Sequence, residues 1–358
     1  MKILFIVPYP TEGASNRLRV EQYIPYLESK GIEYRIRPFI SKAFYRVLYS
    51  KGNYLRKSIY FLSAALKRLF DIIISTRYNI IFIHRECFPF GPPFIEYILS
   101  KLKKSIIFDF DDAIFLSSTS APNNFVERFK RPDKVSKIIS LSKYVIAGNK
   151  YLADFAKKHN SNVTIIPTPI DTFKYRPQKS NRLDGKVIIG WIGSNTTKVF
   201  LYPLANVFKE LSKNYHYVEF RIIGGDIHID GLSSLKKKKW ELETEIEDLQ
   251  DFDIGIMPMP DNEWTKGKCG FKIILYMALG VPVICSPTGV NKEIVEDGKN
   301  GYFANSDREW IDKLSILIEN PNLRYEMGQS GRDIVKERYS VEVNAPKFLA
   351  VLNRVCSE

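Results

Sequence analysis

Cysteine is scarce in this sequence. The 358 residues include four cysteines, which are scattered and form no Cys-x-x-Cys pair. Disulfide scaffolds and structural zinc sites need grouped cysteines, so we expect neither here, and we expect a reducing compartment such as the cytoplasm. Long apolar runs are missing too, since no stretch approaches the roughly 20 apolar residues that cross a bilayer. The apolar start meets Pro8 too soon to resemble a secretory signal.

Acidic residues are few in the first half of the chain. Residues 1–180 hold 30 lysines and arginines against 14 acids, whereas residues 181–358 hold 23 against 26. A basic half of this kind favours a partner that carries phosphate, such as a phosphorylated small molecule, an anionic lipid or nucleic acid. The sequence contains no helix-turn-helix, zinc-finger or RNP motif, so we do not expect nucleic acid to be the partner.

Short apolar, β-branched runs alternate with helical patterns along the whole chain. These runs lie at residues 2–8, 79–84, 105–112, 144–148, 163–167, 186–193, 218–225, 252–258 and 281–286. Continuous apolar strands with helices between them predict parallel sheets that are covered on both faces. The series restarts after a polar stretch at 169–185. The sequence therefore predicts an α/β fold with two doubly wound, Rossmann-like domains that face a cleft, with ligands at the carboxyl ends of the strands.

Candidate binding residues follow the early strands. Gly13 lies in a small-residue loop after the first run, and Arg17 and Arg19 lie near the start of the following helix. Backbone donors and guanidinium groups there would suit an anion or a sugar, although solvated arginines in an ordinary loop would look the same. His84 ends the second run, where it could contact a ligand or make a structural hydrogen bond.

Three carboxylates, Asp109, Asp111 and Asp112, come at the end of the run at residues 105–112. The alternation of a strand places Asp109 and Asp111 on the same side. Three roles remain open for this cluster. It could bind Mg²⁺ or Mn²⁺, supply a single acid at the cleft, or cap the next turn.

The second half carries a similar loop and a pair of lysines. Gly193 and Ser194 form a turn after a strand, and Lys198 lies in the first turn of the next predicted helix, which runs from about residue 199 to 213. Lys268 and Lys272 are spaced i, i+4 at another predicted helix start. Lysines at helix starts oppose the helix dipole, so a bound diphosphate explains them better than solvation does.

These segments resemble those of GT-B glycosyltransferases of the GT4 type. The similarity covers essentially the whole chain and is most specific in GWIGSNTTK and in DIGIMPMPDNEWTKGKCGFKIILYMALGVPVICSPTGVNKEIV. The resemblance implies a retaining transfer from a nucleotide sugar, UDP- or GDP-linked, to a hydroxyl acceptor, without a metal or other cofactor. The process would be bacterial surface polysaccharide or glycolipid synthesis. It also implies an acceptor domain at 1–178, a donor domain at 179–338, and a final helix at 339–358 that crosses back to the first domain.

The same resemblance assigns roles to the candidate residues. Asp111, Lys198 and Lys272 would be catalytic, because the lysines would stabilise the leaving diphosphate and Asp111 would orient the substrates. The donor site would consist of Gly193, Ser194, Lys198, Lys268, Lys272 and Glu293. The acceptor site would consist of Gly13, Arg17, Arg19 and His84.

The sequence departs from the family pattern at two places. The Glu-x7-Glu pair of the family is replaced by Gly267 and Leu275, so Glu293, or else Glu263, would have to bind the ribose. Asp111 stands where many relatives have a histidine. Three alternatives therefore stay open: a non-catalytic subunit that binds sugars or partners, an epimerase of the same fold, and a metal-dependent GT-A transferase.

Residues 42–70 form a basic amphipathic segment, with seven lysines or arginines, no acid and many apolar side chains. Such a segment is typical of a helix that lies in a membrane interface, although a core-packed helix with a basic outer face has the same composition. We therefore expect a cytoplasmic protein that binds peripherally to an anionic membrane surface.

Overall fold

A computed structural model describes residues 1–48, 50, 52–116, 133–178 and 184–357. Contacts divide the chain into two units. The first consists of Met1–Pro169 with Val341–Glu358, and the second is Ile170–Ser340. The division therefore falls after Pro169 rather than after residue 178, because Ile170 and Tyr175 are buried in the core of the second unit.

The first unit is built on a six-stranded parallel sheet in the order β2-β1-β3-β4-β5-β6. Its strands are β1 (Lys2–Val7), β2 (Glu33–Pro38), β3 (Ile80–His84), β4 (Ser105–Phe110), β5 (Tyr144–Ala147) and β6 (Val163–Ile165). The inner strands are continuous apolar runs and are almost completely buried, as expected of a parallel sheet with helices on both faces.

Helices connect the strands of the first unit. They are α1 (Ala14–Arg19), α2 (Ile24–Ser29), α3 (Lys42–Leu48), α4 (Tyr54–Ser75), α5 (Phe94–Lys101), α6 (Asp133–Leu141) and α7 (Lys150–Lys157). A 3-10 turn, Glu21–Tyr23, separates α1 from α2, so the helix expected after the first strand is made of short pieces.

The second unit repeats the plan with a parallel sheet in the order β12-β11-β10-β7-β8-β9. Its strands are β7 (Val187–Ile192), β8 (Val218–Ile223), β9 (Leu235–Lys238), β10 (Ile254–Met257), β11 (Val283–Cys285) and β12 (Gly301–Phe303). The sequence-based prediction of an α/β chain with two Rossmann-like parallel sheets is confirmed.

The helices of the second unit follow its strands. They are α8 (Ala205–Asn214), α9 (Glu245–Gln250), α10 (Glu263–Lys266), α11 (Phe271–Ala278), α12 (Asn291–Ile294), α13 (Asp307–Glu319) and α14 (Pro321–Ile334). A 3-10 helix, Lys198–Leu204, precedes α8 and contains Pro203. The predicted helix at 199–213 therefore has two parts, although Val207, Phe208 and Leu211 are buried as its pattern indicates.

The last helix, α15 (Val341–Ser357), belongs to the first unit. Its Phe348 ring stacks on Tyr23 with the centroids 4.4 Å apart and the planes within 3°. Ala345, Val351, Leu352 and Val355 are buried in the same apolar cluster. Within the described ranges, no helix combines the length and the apolar character that a membrane crossing requires.

Candidate functional site

An indole ring lies at the carboxyl end of β7. Trp191 is 1% exposed, and its ring is closely approached by two glycines, Gly193 and Gly225. A Cβ atom at either glycine would collide with the ring. The sequence Gly-Trp-Ile-Gly therefore holds a flat aromatic surface at the end of the sheet where parallel α/β folds bind ligands.

Lys272 lies over this ring. It occupies the first turn of α11, and its Nζ is 4.5 Å from the centroid of the Trp191 ring, within cation–π distance. The helix begins after Gly270, whose φ of 64° lies in the left-handed region that glycine tolerates best. A Cβ at Gly270 would also meet the side chain of Ile294. The turn that aims Lys272 at the ring is therefore specific to glycine.

The charge of Lys272 is held in an unfavourable environment. Burial, and secondly the charge of Lys268, lowers the pKa of Lys272 to about 7. No ion pair joins Lys272 to any residue in the part of the chain that the structure describes. The Lys268 ammonium lies 3.7 Å from the ring centroid of Trp264. Two neighbouring lysines on aromatic faces therefore form a cationic centre that an anion would stabilise.

Lys198 lies beside the same ring. Its Nζ donates to the backbone carbonyl oxygen of Asp226. The Cβ position of Gly225 is 2.9 Å from Cζ3 of Trp191 and 3.3 Å from Cβ of Lys198, so the two side chains share one neighbourhood. Lys198 begins the 3-10 helix rather than an α-helix. The structure thus brings both Lys198 and Lys272 close to one residue, Trp191.

The other predicted donor residues differ in their surroundings. The N–H of Gly193 donates to the carbonyl oxygen of Ile223 within the sheet, at 3.0 Å. Ser194 is exposed, and its Oγ is 2.7 Å from Oγ1 of Thr196. Glu293 is exposed on α12, which is four residues long, and its carbonyl oxygen accepts a hydrogen bond from Arg338.

The two residues that replace the glutamate pair of the family, Gly267 and Leu275, have structural roles in this chain. Gly267 ends α10, and Leu275 is 4% exposed in the core of the second unit. Glu263, the other candidate for the ribose, is ion-paired with Lys266 at 2.7 Å. Glu293 is therefore better able than Glu263 to accept new hydrogen bonds.

In the first unit, four side chains form a buried polar network at the ends of β3 and β4. Asp109 pairs with both the Nε and Nη2 atoms of Arg19, and its Oδ2 is 2.6 Å from Nδ1 of His84. Burial opposes the charge of Asp109, but Arg19 and His84 outweigh it and lower the pKa of Asp109. The other ring nitrogen of His84, Nε2, lies 2.5 Å from Oγ of Ser15, so the His84 ring links the Asp109 carboxylate to Ser15.

Asp111 lies at the exposed side of this network. Its Oδ1 accepts from Arg85 Nη2 at 2.8 Å and Nε at 3.1 Å, and it lies 3.9 Å from Nε2 of His84. Burial favours the neutral acid, but Arg85 and then His84 lower the pKa of Asp111 strongly. Asp111 is therefore an anion throughout the neutral pH range. Arg85 holds a left-handed backbone conformation with φ of 66°, which is uncommon for a residue with a side chain.

The geometry changes the interpretation of Arg19. We expected it to contact an acceptor, but it is 2% exposed, and its guanidinium donates to Asp109, Thr168 and the Ile166 carbonyl oxygen. Arg19 therefore positions Asp109 instead of facing a ligand. Arg17 is 8% exposed, and Gly13 begins α1 where a Cβ would collide with Tyr9. His84 is fully buried, so it does not face a ligand, and its Nε2 contacts Ser15 Oγ.

The sequence analysis missed three members of these sites. Trp191 was counted only as part of an apolar strand, although an aromatic residue between two glycines at a strand end is a usable signal. Ser15 and Arg85 received no role, and only the fold brings them to His84 and Asp111. In the described residues, no group of three histidine, cysteine or acidic side chains is arranged to hold a metal ion.

The chain resembles known proteins in sequence. The family model described as "Glycosyl transferases group 1" matches residues 186–320. Spore coat protein SA of Bacillus subtilis (strain 168) is 21% identical over 252 residues, which are 62% of this chain and 66% of that protein. Alpha-monoglucosyldiacylglycerol synthase of Acholeplasma laidlawii is 25% identical over 210 residues, which are 52% of each chain. The chain thus spans two thirds or less of these curated relatives.

Solved structures resemble the chain over nearly its full length. Sucrose-phosphate synthase (tll1590) from Thermosynechococcus elongatus has a TM-score of 0.73 at 12% identity and covers 99% of both chains. Anabaena Alr3699/HepE in complex with UDP-glucose has a TM-score of 0.70 at 14% identity, covering 99% of this chain and 100% of the other. These likenesses define the class of fold, which is GT-B. Within that class, residues 186–320 of the second unit are similar to group 1 glycosyltransferases, whose family model they match.

Proposed function

We propose that the protein transfers a sugar from a nucleotide-sugar donor to a hydroxyl acceptor, with retention of the anomeric configuration. The second unit would bind the donor and the first unit the acceptor. Support for the donor class comes from the group 1 match over residues 186–320 and from the likeness to a protein that binds UDP-glucose.

One observation carries the proposal: Lys272 is half-buried over the Trp191 ring, beside Lys268, and has no ion-pair partner in the described ranges. Folding places the Lys272 ammonium group where burial and the charge of Lys268 disfavour its positive charge. A ligand diphosphate would supply the missing negative charge, and backbone N–H groups at the start of α11 would add hydrogen bonds. Such a site stabilises the charge that develops on the leaving diphosphate.

The proposed roles follow from this arrangement. Lys272 and Lys198 stabilise the leaving group, and Lys268 contributes to the same field. The departing diphosphate takes the proton of the acceptor hydroxyl, so no side-chain nucleophile is required. Asp111, fixed as an anion by Arg85, accepts hydrogen bonds from substrate hydroxyl groups. We propose that the reaction needs neither a metal ion nor another cofactor.

The cellular setting is also part of the proposal. Cys87, Cys269 and Cys285 are buried and form no disulfide bond among the described residues, as expected of a protein in a reducing compartment. We therefore propose a cytoplasmic transferase of surface polysaccharide or glycolipid synthesis. The name of the Acholeplasma relative, alpha-monoglucosyldiacylglycerol synthase, supports a lipid acceptor and a glycolipid product.

A non-catalytic function is the second candidate, because Leu275 and Gly267 cannot accept the hydrogen bonds that the glutamate pair of the family would accept. A protein that binds a nucleotide sugar or another partner without transferring the sugar would tolerate the apolar Leu275, which is packed in the core. The ribose would then lose hydrogen bonds worth about 1–3 kcal/mol unless Glu293 replaces them.

Donor hydrolysis tests the proposal. A panel of UDP- and GDP-sugars is incubated with the protein and a chelator, and release of the free nucleotide is measured. Lys272→Met should abolish release. Lys213→Met, which removes an exposed lysine on α8, is the matched control and should not change it. Calorimetry that detects no binding of any nucleotide sugar would contradict the transferase and favour a non-catalytic protein that binds another partner. Binding without hydrolysis or transfer would favour a non-catalytic protein that binds nucleotide sugars.

A further inference from the structure

Helix α4 has a long exposed apolar face. One side of the helix packs on the first unit through Ala64, Arg68, Asp71 and Ser75. The opposite side exposes large apolar side chains over the whole length of the helix, which is about 33 Å for 22 residues. These residues are Leu55 (78% exposed), Ile59 (59%), Leu62 (62%), Leu66 (60%), Leu69 (45%), Phe70 (55%) and Ile73 (65%). Soluble monomers rarely expose an apolar stripe of this extent unless another surface covers it.

The charged side chains around this stripe are cationic. Arg46 of α3 and Arg56 and Lys67 of α4 are exposed. The single acid of α4, Asp71, is 2% exposed and pairs with Arg37 and Arg68. Helix α3 contains no acid, so neither helix exposes a negative charge to balance these cations.

The neighbouring helix α5 continues the same character. It exposes Tyr97 (52%) and Ile98 (36%), and Leu102, just after its end, is 49% exposed. Lys101 follows on the same helix. Its only acid, Glu96, is 1% exposed and accepts a hydrogen bond from the N–H of Cys87. The three packed helices α3, α4 and α5 therefore expose apolar and basic side chains and no acidic one.

Two occupants could cover such a face. The spacing of Leu55, Ile59, Leu62, Leu66, Leu69 and Ile73 alternates between four and three residues, which is also the pattern of a coiled-coil seam. A second copy paired along α4, however, would bring the cations of both copies together, and the helix exposes no acid to form the flanking ion pairs. An anionic lipid surface supplies both an apolar layer and the missing negative charge.

We propose that α4 lies in the plane of an anionic membrane interface, with its exposed leucine and isoleucine side chains among the acyl chains and its cations at the lipid phosphates. The helix does not cross the bilayer. This proposal stands apart from the transfer reaction, since it concerns lipid binding and not turnover.

Vesicle co-sedimentation of the full chain tests it. Vesicles of phosphatidylcholine are compared with vesicles that also contain phosphatidylglycerol, at low and high salt. We expect binding to the anionic vesicles, weak binding to the neutral ones, and release as salt rises. Lys67→Glu should weaken anionic binding by about fivefold or more, because each cation near such a surface contributes roughly that factor. Lys213→Glu on α8 makes the same charge change elsewhere and should have no effect.

The apolar half of the proposal needs its own variant. Leu62→Ser combined with Leu66→Ser should abolish vesicle binding and leave the thermal unfolding temperature unchanged, because both side chains are exposed. Tyr325→Ser, at a 69% exposed position in the second unit, is the control. The proposal is overturned if both vesicle types leave the protein in the supernatant at low salt, or if the variants bind like the parent. It is also overturned if light scattering shows a dimer that the double variant dissociates while vesicle binding is absent.

Discussion

Raising the pH from about 6 to about 8 should weaken donor binding, because Lys272 must be protonated to hold a diphosphate. With a pKa of about 7, set by burial and then by Lys268, the amine is about half protonated at neutral pH. A bound diphosphate would hold it fully charged. The apparent affinity should therefore fall about tenfold over this range, or about 1.4 kcal/mol.

The assay is calorimetric titration with a UDP- or GDP-sugar, whose diphosphate is a diester and does not itself titrate in this range. Repeating the titration at pH 7 in buffers of different ionisation enthalpy should reveal the uptake of roughly half a proton. Lys272→Arg keeps the charge at every pH and should remove the pH dependence. A dissociation constant that stays constant across this range, with no proton uptake, would refute the role of Lys272.

The same group affects the stability of the free protein. Its pKa is lower in the folded state than the ordinary lysine value of 10.5, so the folded state binds fewer protons between about pH 7 and 10.5. The stability of the free protein should therefore rise with pH through this window. Lys272→Met should raise the unfolding temperature at pH 7 by at least about 2 °C while binding is lost, as at many functional sites.

Three further predictions follow from the two units. Lys198→Ala should lower turnover about 10²-fold at saturating donor, because one charge on the leaving diphosphate is lost; turnover near the parent value would exclude this role. Asp111→Asn should lower turnover, and neither the variant nor the parent protein should respond to a chelator or to added Mg²⁺ or Mn²⁺. Parent activity that a chelator abolishes and metal restores would contradict the metal-free reaction. Asp109→Asn should destabilise the protein by about 3–5 kcal/mol in urea unfolding, because it leaves Arg19 buried without its carboxylate. Asp154→Asn, which breaks the exposed pair with Lys150, is its control, and equal losses in both would refute the argument.

The sequence patterns predicted the inner strands of both sheets and missed three edge strands. The inner strands are buried on both faces, so they are continuous apolar runs that a single sequence reveals. The missed strands β2, β9 and β12 lie at sheet edges, and β9 consists of Leu-Lys-Lys-Lys with mostly exposed side chains. Edge strands need less apolar character, so their sequences resemble loops.

Candidate site residues could be singled out from the sequence where the charge of a side chain is unfavourable in the predicted local structure. Lysines at helix starts have no local reason to be there, which is why Lys198 and Lys272 could be singled out. Arg19 could not be interpreted correctly because it lies on α1 and its partner, Asp109, lies on β4, and only the fold brings them together. Trp191 was missed for the opposite reason, since its apolar character fits the strand and its contact with Lys272 is a long-range one.

The return of α15 to the first unit affects the order in which the chain can fold during synthesis. Tyr23 is made early, but the ring that stacks on it, Phe348, is made only after the whole of Ile170–Ser340. Ile170–Ser340 is complete before that, so the later part of the chain can finish folding while the earlier part still lacks a side of its core. The amino-terminal unit therefore cannot complete its core before the second unit has been synthesised, unlike the usual case in which the amino-terminal domain folds first. Until α15 arrives, the apolar side chains around Tyr23 remain open to water, and during that interval the nascent protein is most exposed to chaperones and to aggregation.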